Sequence, residues 1–108
     1  MENNNEDLNE LVQLIEAWGV RTGLYDNSNP QVQCLKLGSE FGELCDNLAK
    51  GRYERAQDDV GDMIVVLIHI AKMIGVDLGK CVSVAYNDIK DRKGHFSEYG
   101  VFIKEGDV

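Results

Sequence analysis

Positive charge is scarce in this chain: 11 lysines and arginines stand against 19 aspartates and glutamates in 108 residues, a formal net charge of −8. A surface of that sign repels nucleic-acid backbones and anionic lipid, so neither is an expected partner. A bilayer span is missing too. The most apolar run, "MIVVLIHIA" at 63–71, has nine residues, where a spanning helix needs roughly 20. The three cysteines, Cys34, Cys45 and Cys81, make no CxxC pair. Each falls at or near an apolar helical position, so buried reduced thiols and a reducing, cytoplasmic setting are expected. The amino-terminal "MENNNEDLNE" has neither the basic start nor the apolar run of a signal peptide, and no export is expected. Proline occurs once, and no repeat or biased tract appears beyond a short asparagine run. No GxxxxGK(S/T) loop occurs, so the backbone cradle of P-loop enzymes is excluded.

What is present is helical periodicity. With 44% hydrophobic and 28% charged residues, the chain reads as one folded domain, 1–108, whose own core is modest. Leu8, Leu11, Val12, Ile15 and Trp18 form one apolar stripe at spacings of three and four, which predicts a first helix. The connection "YDNSNP" leads to Asn29 and Pro30, a cap and first helical residue. The second helix runs from there to about Lys50, with Gly51 as its stop. Leu37, Phe41, Leu44, Cys45 and Leu48 share one arc of it, and Gln33, Lys36, Glu40, Glu43 and Asn47 form a polar stripe beside that arc. A third helix, about 53–74, becomes apolar on every side through 63–71. Such a helix must be covered all round, which a monomer this small does poorly, so self-association is expected. Asp77 caps a fourth helix with the stripe Leu78, Cys81, Val82, Ala85, Tyr86 and Ile89, ending in "KDRKG" with cations at the negative end of its dipole and glycine as its stop. The remaining "HFSEYGVFIKEGDV" is expected to be a short irregular or extended tail.

Four carboxylates stand out. Glu40 and Glu43 in "SEFGEL", and Asp59 and Asp62 in "DDVGDM", form two pairs three residues apart. On a helix that spacing puts both groups on one face. Like charges there oppose the helix by a few tenths of a kcal/mol when exposed and by more when desolvated. A cation should therefore compensate them if they face inward. Mg²⁺ suits such a site, because it takes oxygen ligands and leaves positions for phosphate.

The combination "QCLKLGSEFGEL" then "DDVGDMIVVL" resembles the signature of the MazG-like, all-α nucleoside triphosphate pyrophosphohydrolases: ExxE, a variable connection, then Glu or Asp with Asp three residues on. "YNDIKDRKG" is similar to the asparagine and basic residues of that family's last helix. The resemblance spans roughly residues 30 to 94. It implies an all-α, four-helix bundle-like domain assembling as a dimer or a dimer of dimers. The implied reaction is Mg²⁺-dependent hydrolysis of a nucleoside or deoxynucleoside triphosphate between its α and β phosphates, with Mn²⁺ as a substitute ion. Carried over by position, Glu40, Glu43, Asp59 and Asp62 are the metal ligands, and Asn87 and Lys90 with Arg92 or Lys93 hold the substrate. Lys36, one turn before Glu40 on the same stripe, is placed to pair with a carboxylate or to contact phosphate, and a carboxylate not saturated by metal, Glu43 or Glu40, is the expected catalytic base. One departure is Asp59, where many members carry the longer glutamate.

Other side chains read as structural. His69 lies two turns beyond Asp62, about 10 Å along the axis, too far to share a metal with it. It reads as a core or interface histidine. Trp18 belongs to the first apolar stripe and reads as packing rather than as a base-stacking ring, an alternative shared with Tyr25; Tyr86 fits either role. Asp46 and Asp58 read as solvated acids, Asp58 close enough to tune its neighbours. The alternative function is a non-catalytic helical oligomer that binds nucleotide or a protein partner and uses its acidic pairs as a structural cation site.

Overall fold

A computed structural model of the chain describes residues 7–106. The asparagine run, and most of the segment read as lacking a signal peptide, lie outside the described residues. The chain divides into two units, Met1–Val76 and Asp77–Val108.

In the first unit, α1 (Leu8–Thr22) starts at Asp7, whose carboxylate accepts the Glu10 N–H at 3.1 Å. It ends at Gly23, with φ 78°, a left-handed cap that glycine adopts without steric cost. The same glycine opens α2 (Leu24–Asn27). This single turn lies where the sequence shows only turn formers, because four residues are too few to display an amphipathic stripe. Helix α3 (Pro30–Ala49) begins as its sequence requires: Asn29 accepts the Val32 N–H at 2.8 Å and Pro30 occupies the first turn. After a tight turn through Gly51, α4 (Tyr53–Met73) returns along α3, and these two helices make the main interface of the unit. Helix α1 packs on α4, and α2 on α1.

The core is small and sits on α4: Ala56, Val66, Ile68 and Ala71 are buried, with His69 among the largest fully buried side chains. The run at 63–71 buries Val66, Ile68 and Ala71 but leaves Ile64 and Leu67 39% and 38% exposed, the incomplete cover expected of so small a chain. One expectation needs correction here. The three cysteines are free, as expected, but exposed. On α3 the covered face follows the border of the two stripes, with Gln33 buried and Leu37, Glu40, Leu44 and Asn47 half-buried, while Phe41, Cys45 and Leu48 of the apolar arc and Lys36 and Glu43 of the polar stripe stay open.

The second unit holds α5 (Leu78–Ile89), capped by the Asp77 carboxylate on the Lys80 N–H at 2.9 Å. Its tail is a hairpin of β1 (Gly94–Phe96) and β2 (Phe102–Lys104), antiparallel with His95 opposite Ile103. Phe96 and Phe102 meet edge to face across it, ring centroids 5.3 Å apart. Gly94, expected as the stop after the helix, instead begins β1. Among the described residues, no helix is long and apolar enough to cross a membrane.

Ile68, about 1% exposed, anchors the α4 core. Ile68→Ala should lower stability by roughly 2–5 kcal/mol in urea unfolding followed by circular dichroism. Val20→Ala, on the open side of α1, should stay within about 0.5 kcal/mol.

Candidate functional site

Along the covered face of α3, Glu40 and Asn47 meet the acids of α4. Glu40, Glu43 and Asp59 each present a carboxylate oxygen within 4.8 Å of the other two. Asp59 is buried and accepts a 2.6 Å hydrogen bond from the Asn47 amide, which fixes one of its oxygens. The Glu40 Oε1 lies 4.0 Å from the Lys36 ammonium, while its Oε2 is buried and finds no partner among the described residues. An unpartnered buried carboxylate oxygen is costly. Three carboxylates converging around it make a donor set of hard oxygens, which fits Mg²⁺ or Mn²⁺.

The electrostatics carry the same message. Burial raises the Glu40 carboxyl above its ordinary range, the negative charges of Asp62, Glu43 and Asp59 raise it further, and Lys36 opposes them. Asp62 is raised as well, by burial first and then by Asp58 and Asp59, again against Lys36. Asp58 therefore does influence the cluster. Asp62 stands outside the tight trio and joins Glu40 and Lys36 on the wall of an adjoining cavity of about 470 Å³.

That cavity contains residues that sequence reasoning set aside. Trp18, Gln33 and His69 also line it. Trp18 was expected to pack inside its stripe but is 44% exposed, its indole 5.8 Å from the His69 ring between centroids. His69 is a core histidine, as expected, and yet forms part of the wall. The Tyr25 hydroxyl lies 2.7 Å from its Nδ1, a bond between residues 44 apart in sequence that no periodicity announces. Gly19 makes room for that tyrosine: a Cβ there would lie 2.6 Å from the Tyr25 ring. Gln33 could have been noticed, since it begins the polar stripe one turn before Lys36.

The second unit holds the other expected substrate residues. Asn87 lies on the last turn of α5, Lys90 caps it, and Arg92 and Lys93 follow. The Arg92 guanidinium donates to Asp88 at 2.8 Å. All four residues are exposed.

No family model matches the chain. An uncharacterised 18.2 kDa protein from the rep-hol intergenic region of Haemophilus phage HP1 (strain HP1c1) is 41% identical over 71 residues, covering 66% of this chain and 44% of that protein. The chain thus spans less than half the length of the curated relative it matches. Among solved structures, the cyanophage S-2L MazG-like pyrophosphohydrolase bound to dGDP and three catalytic Mn²⁺ ions per active site is similar, with a TM-score of 0.68. It is 21% identical, and the match covers 93% of this chain and 98% of that one.

Glu40 and Asp62 bind protons more tightly in the folded chain than the ordinary values of 4.5 and 3.8 for their carboxyls. The folded state therefore holds more protons than the unfolded state between those values and the raised ones. Their contribution to stability is complete below the ordinary values and is lost as pH rises through the raised ones. In EDTA, the midpoint of thermal unfolding should fall as pH climbs through that window. Asp62→Asn should remove part of this slope, and Mg²⁺ should lift the wild-type midpoint at neutral pH.

Proposed function

Because the chain has a MazG-like fold, we propose that it is a nucleotide pyrophosphohydrolase that cleaves nucleoside or deoxynucleoside triphosphates between the α and β phosphates with Mg²⁺. The observation that carries this reading is the convergence of Glu40, Glu43 and Asp59 within 4.8 Å beside a cavity large enough for a nucleotide portion. It is supported by a solved neighbour of the same fold whose structure contains dGDP and Mn²⁺.

In this reading Glu40, Glu43, Asp59 and Asp62 hold the metal. Mg²⁺, or Mn²⁺ in its place, supplies positive charge against the phosphate oxygens and acidifies water. Asn47 holds one Asp59 oxygen in place by its 2.6 Å hydrogen bond. Lys36 contacts phosphate, and by the resemblance Asn87 and Lys90 with Arg92 or Lys93 of the second unit are also substrate-binding residues. Glu43, exposed at the edge of the cluster, or Glu40 accepts the proton of the attacking water. Attack at the α-phosphorus releases pyrophosphate.

Self-association completes the proposal. Val60, Ile64 and Leu67 form an open apolar row on α4, and Phe41 and Leu48 a second on α3. A homodimer or dimer of dimers covers them. The acidic surface and free thiols suit a cytoplasmic protein that binds no nucleic acid.

Incubation with Mg²⁺ and a nucleoside triphosphate in ¹⁸O-labelled water should yield unlabelled pyrophosphate and a monophosphate carrying the label. Label in the pyrophosphate, or release of orthophosphate with a diphosphate, contradicts attack at the α-phosphorus. Pyrophosphate absent for every common triphosphate refutes their hydrolysis and favours the non-catalytic reading. Light scattering at micromolar concentration should give twice or four times the chain mass, and Leu67→Glu should shift it towards one; a wild-type monomer refutes the assembly.

A further inference from the structure

Helix α3 spaces two donors around Glu40. Lys36 stands one turn before it and Asn47 two turns after, which on a helix is one face. Each of the two engages one oxygen of an acid in the cluster. The Lys36 ammonium lies 4.0 Å from Glu40 Oε1, while Glu40 Oε2 is buried and has no partner among the described residues. The Asn47 amide donates to Asp59 Oδ2 at 2.6 Å, the only hydrogen bond that this carboxylate, 4% exposed, makes among the described residues. Satisfying a buried acid is reason enough for one such bond. It does not explain why both acids show the same division, one oxygen engaged by a donor from α3 and the other left without one.

We infer that Asn47 is a positioning residue that makes Asp59 a single-oxygen ligand, so that the cluster takes a small octahedral cation in preference to Ca²⁺. The inference rests on the metal-site reading above and deepens it. A cation chelated by both oxygens of Asp59 has to share Oδ2 with the positive end of the Asn47 N–H dipole, which repels it. One bound through Oδ1 alone meets no such opposition. The amide also keeps the carboxylate from turning, since rotation breaks a charge-assisted bond and leaves a buried oxygen bare. The ions differ in what they ask of a carboxylate. Ca²⁺ gathers about six to eight oxygens and readily takes two from one acid, whereas Mg²⁺ demands near-octahedral geometry and fills its remaining positions with water or phosphate. Acids that give one oxygen each therefore suit Mg²⁺ and deprive Ca²⁺ of ligands. Glu40, with Oε1 towards Lys36, works in the same sense. Partners of this kind touch the ligand rather than the ion, and they set its orientation and its donor strength. The choice bears on the proposed reaction, because a smaller ion sits closer to phosphate oxygens and to water and polarises both more strongly.

The full chain, free of nucleotide, is loaded with Mn²⁺, whose unbound fraction is read by electron paramagnetic resonance, and Mg²⁺ or Ca²⁺ is titrated against it. The Glu40→Gln chain supplies the background from surface carboxylates. In the wild type, Ca²⁺ should displace Mn²⁺ no better than Mg²⁺ does. Asn47→Leu, similar in shape but without a donor, should shift the balance towards Ca²⁺ by about tenfold. A purely structural role for Asn47 weakens both ions together, so an unchanged ratio overturns the inference. A wild type that prefers Ca²⁺ overturns it as well. If Asn47→Leu does not fold, judged by circular dichroism, Asn47→Ala carries the same expectation and the same refutation. Mn²⁺ binding no greater than the Glu40→Gln background overturns the inference and the metal site together. A shifted ratio without pyrophosphate release from any triphosphate supports the role of Asn47 and refutes the hydrolase. Pyrophosphate release with an unchanged ratio does the reverse.

Discussion

Mutual repulsion among carboxylates in the seam between α3 and α4 is the constraint to which the rest of the first unit is adapted. A helix pair of this kind gains most by facing its apolar arcs together, yet the covered face of α3 mixes Leu37 and Leu44 with Gln33, Glu40 and Asn47 and leaves Phe41 and Leu48 in the open. Lys36, 4.0 Å from Glu40, offsets only a fraction of the local negative charge. The seam is therefore electrostatically incomplete, and its stability is tied to proton or cation occupancy. The same rotation of α3 that brings Glu40 inward leaves Phe41, Cys45 and Leu48 outside, so the chemistry of the site and the unfinished surface have one origin.

Around that seam, each helix contributes a different kind of order. Helix α4 supplies nearly all of the hydrophobic burial, through Ala56, Val66, Ile68 and Ala71, and carries Asp59 and Asp62 one turn apart. The aliphatic anchors and the acids therefore share a rigid body, the kind of support on which a ligand set keeps its geometry. Helix α1 and the short α2 bring Trp18 and Tyr25 against His69, so the far end of the cavity is set by packing on α4 rather than by the seam.

Much of this was legible in the residues. Asn29 with Pro30, Gly51, and Asp77 marked helix ends that the structure reproduces within a residue or two, because capping is local chemistry written in adjacent positions. The pairing of Glu40 with Glu43 and of Asp59 with Asp62 was legible for the same reason: a fixed helical spacing. What escaped depends on distance. The Asn47 bond to Asp59 and the Tyr25 bond to His69 join different elements, and neither partner carries a pattern that names the other. Burial was misjudged where one-dimensional periodicity cannot say which of two adjoining stripes faces inward. Cys45 and Phe41 are exposed for that reason.

The close approach of Tyr25 to Gly19 has a bearing on how this protein can vary. The ring occupies the space that any side chain at residue 19 would claim, and its hydroxyl is spoken for by His69. A lineage that acquires even alanine at 19 must displace the tyrosine, and the histidine then loses what orients it. A lineage that replaces His69 relieves the demand for Tyr25, and with it the need for glycine. Residues 19, 25 and 69 are thus coupled through one close approach and one hydrogen bond across three elements, in contrast to the capping residues, whose partners lie within three positions.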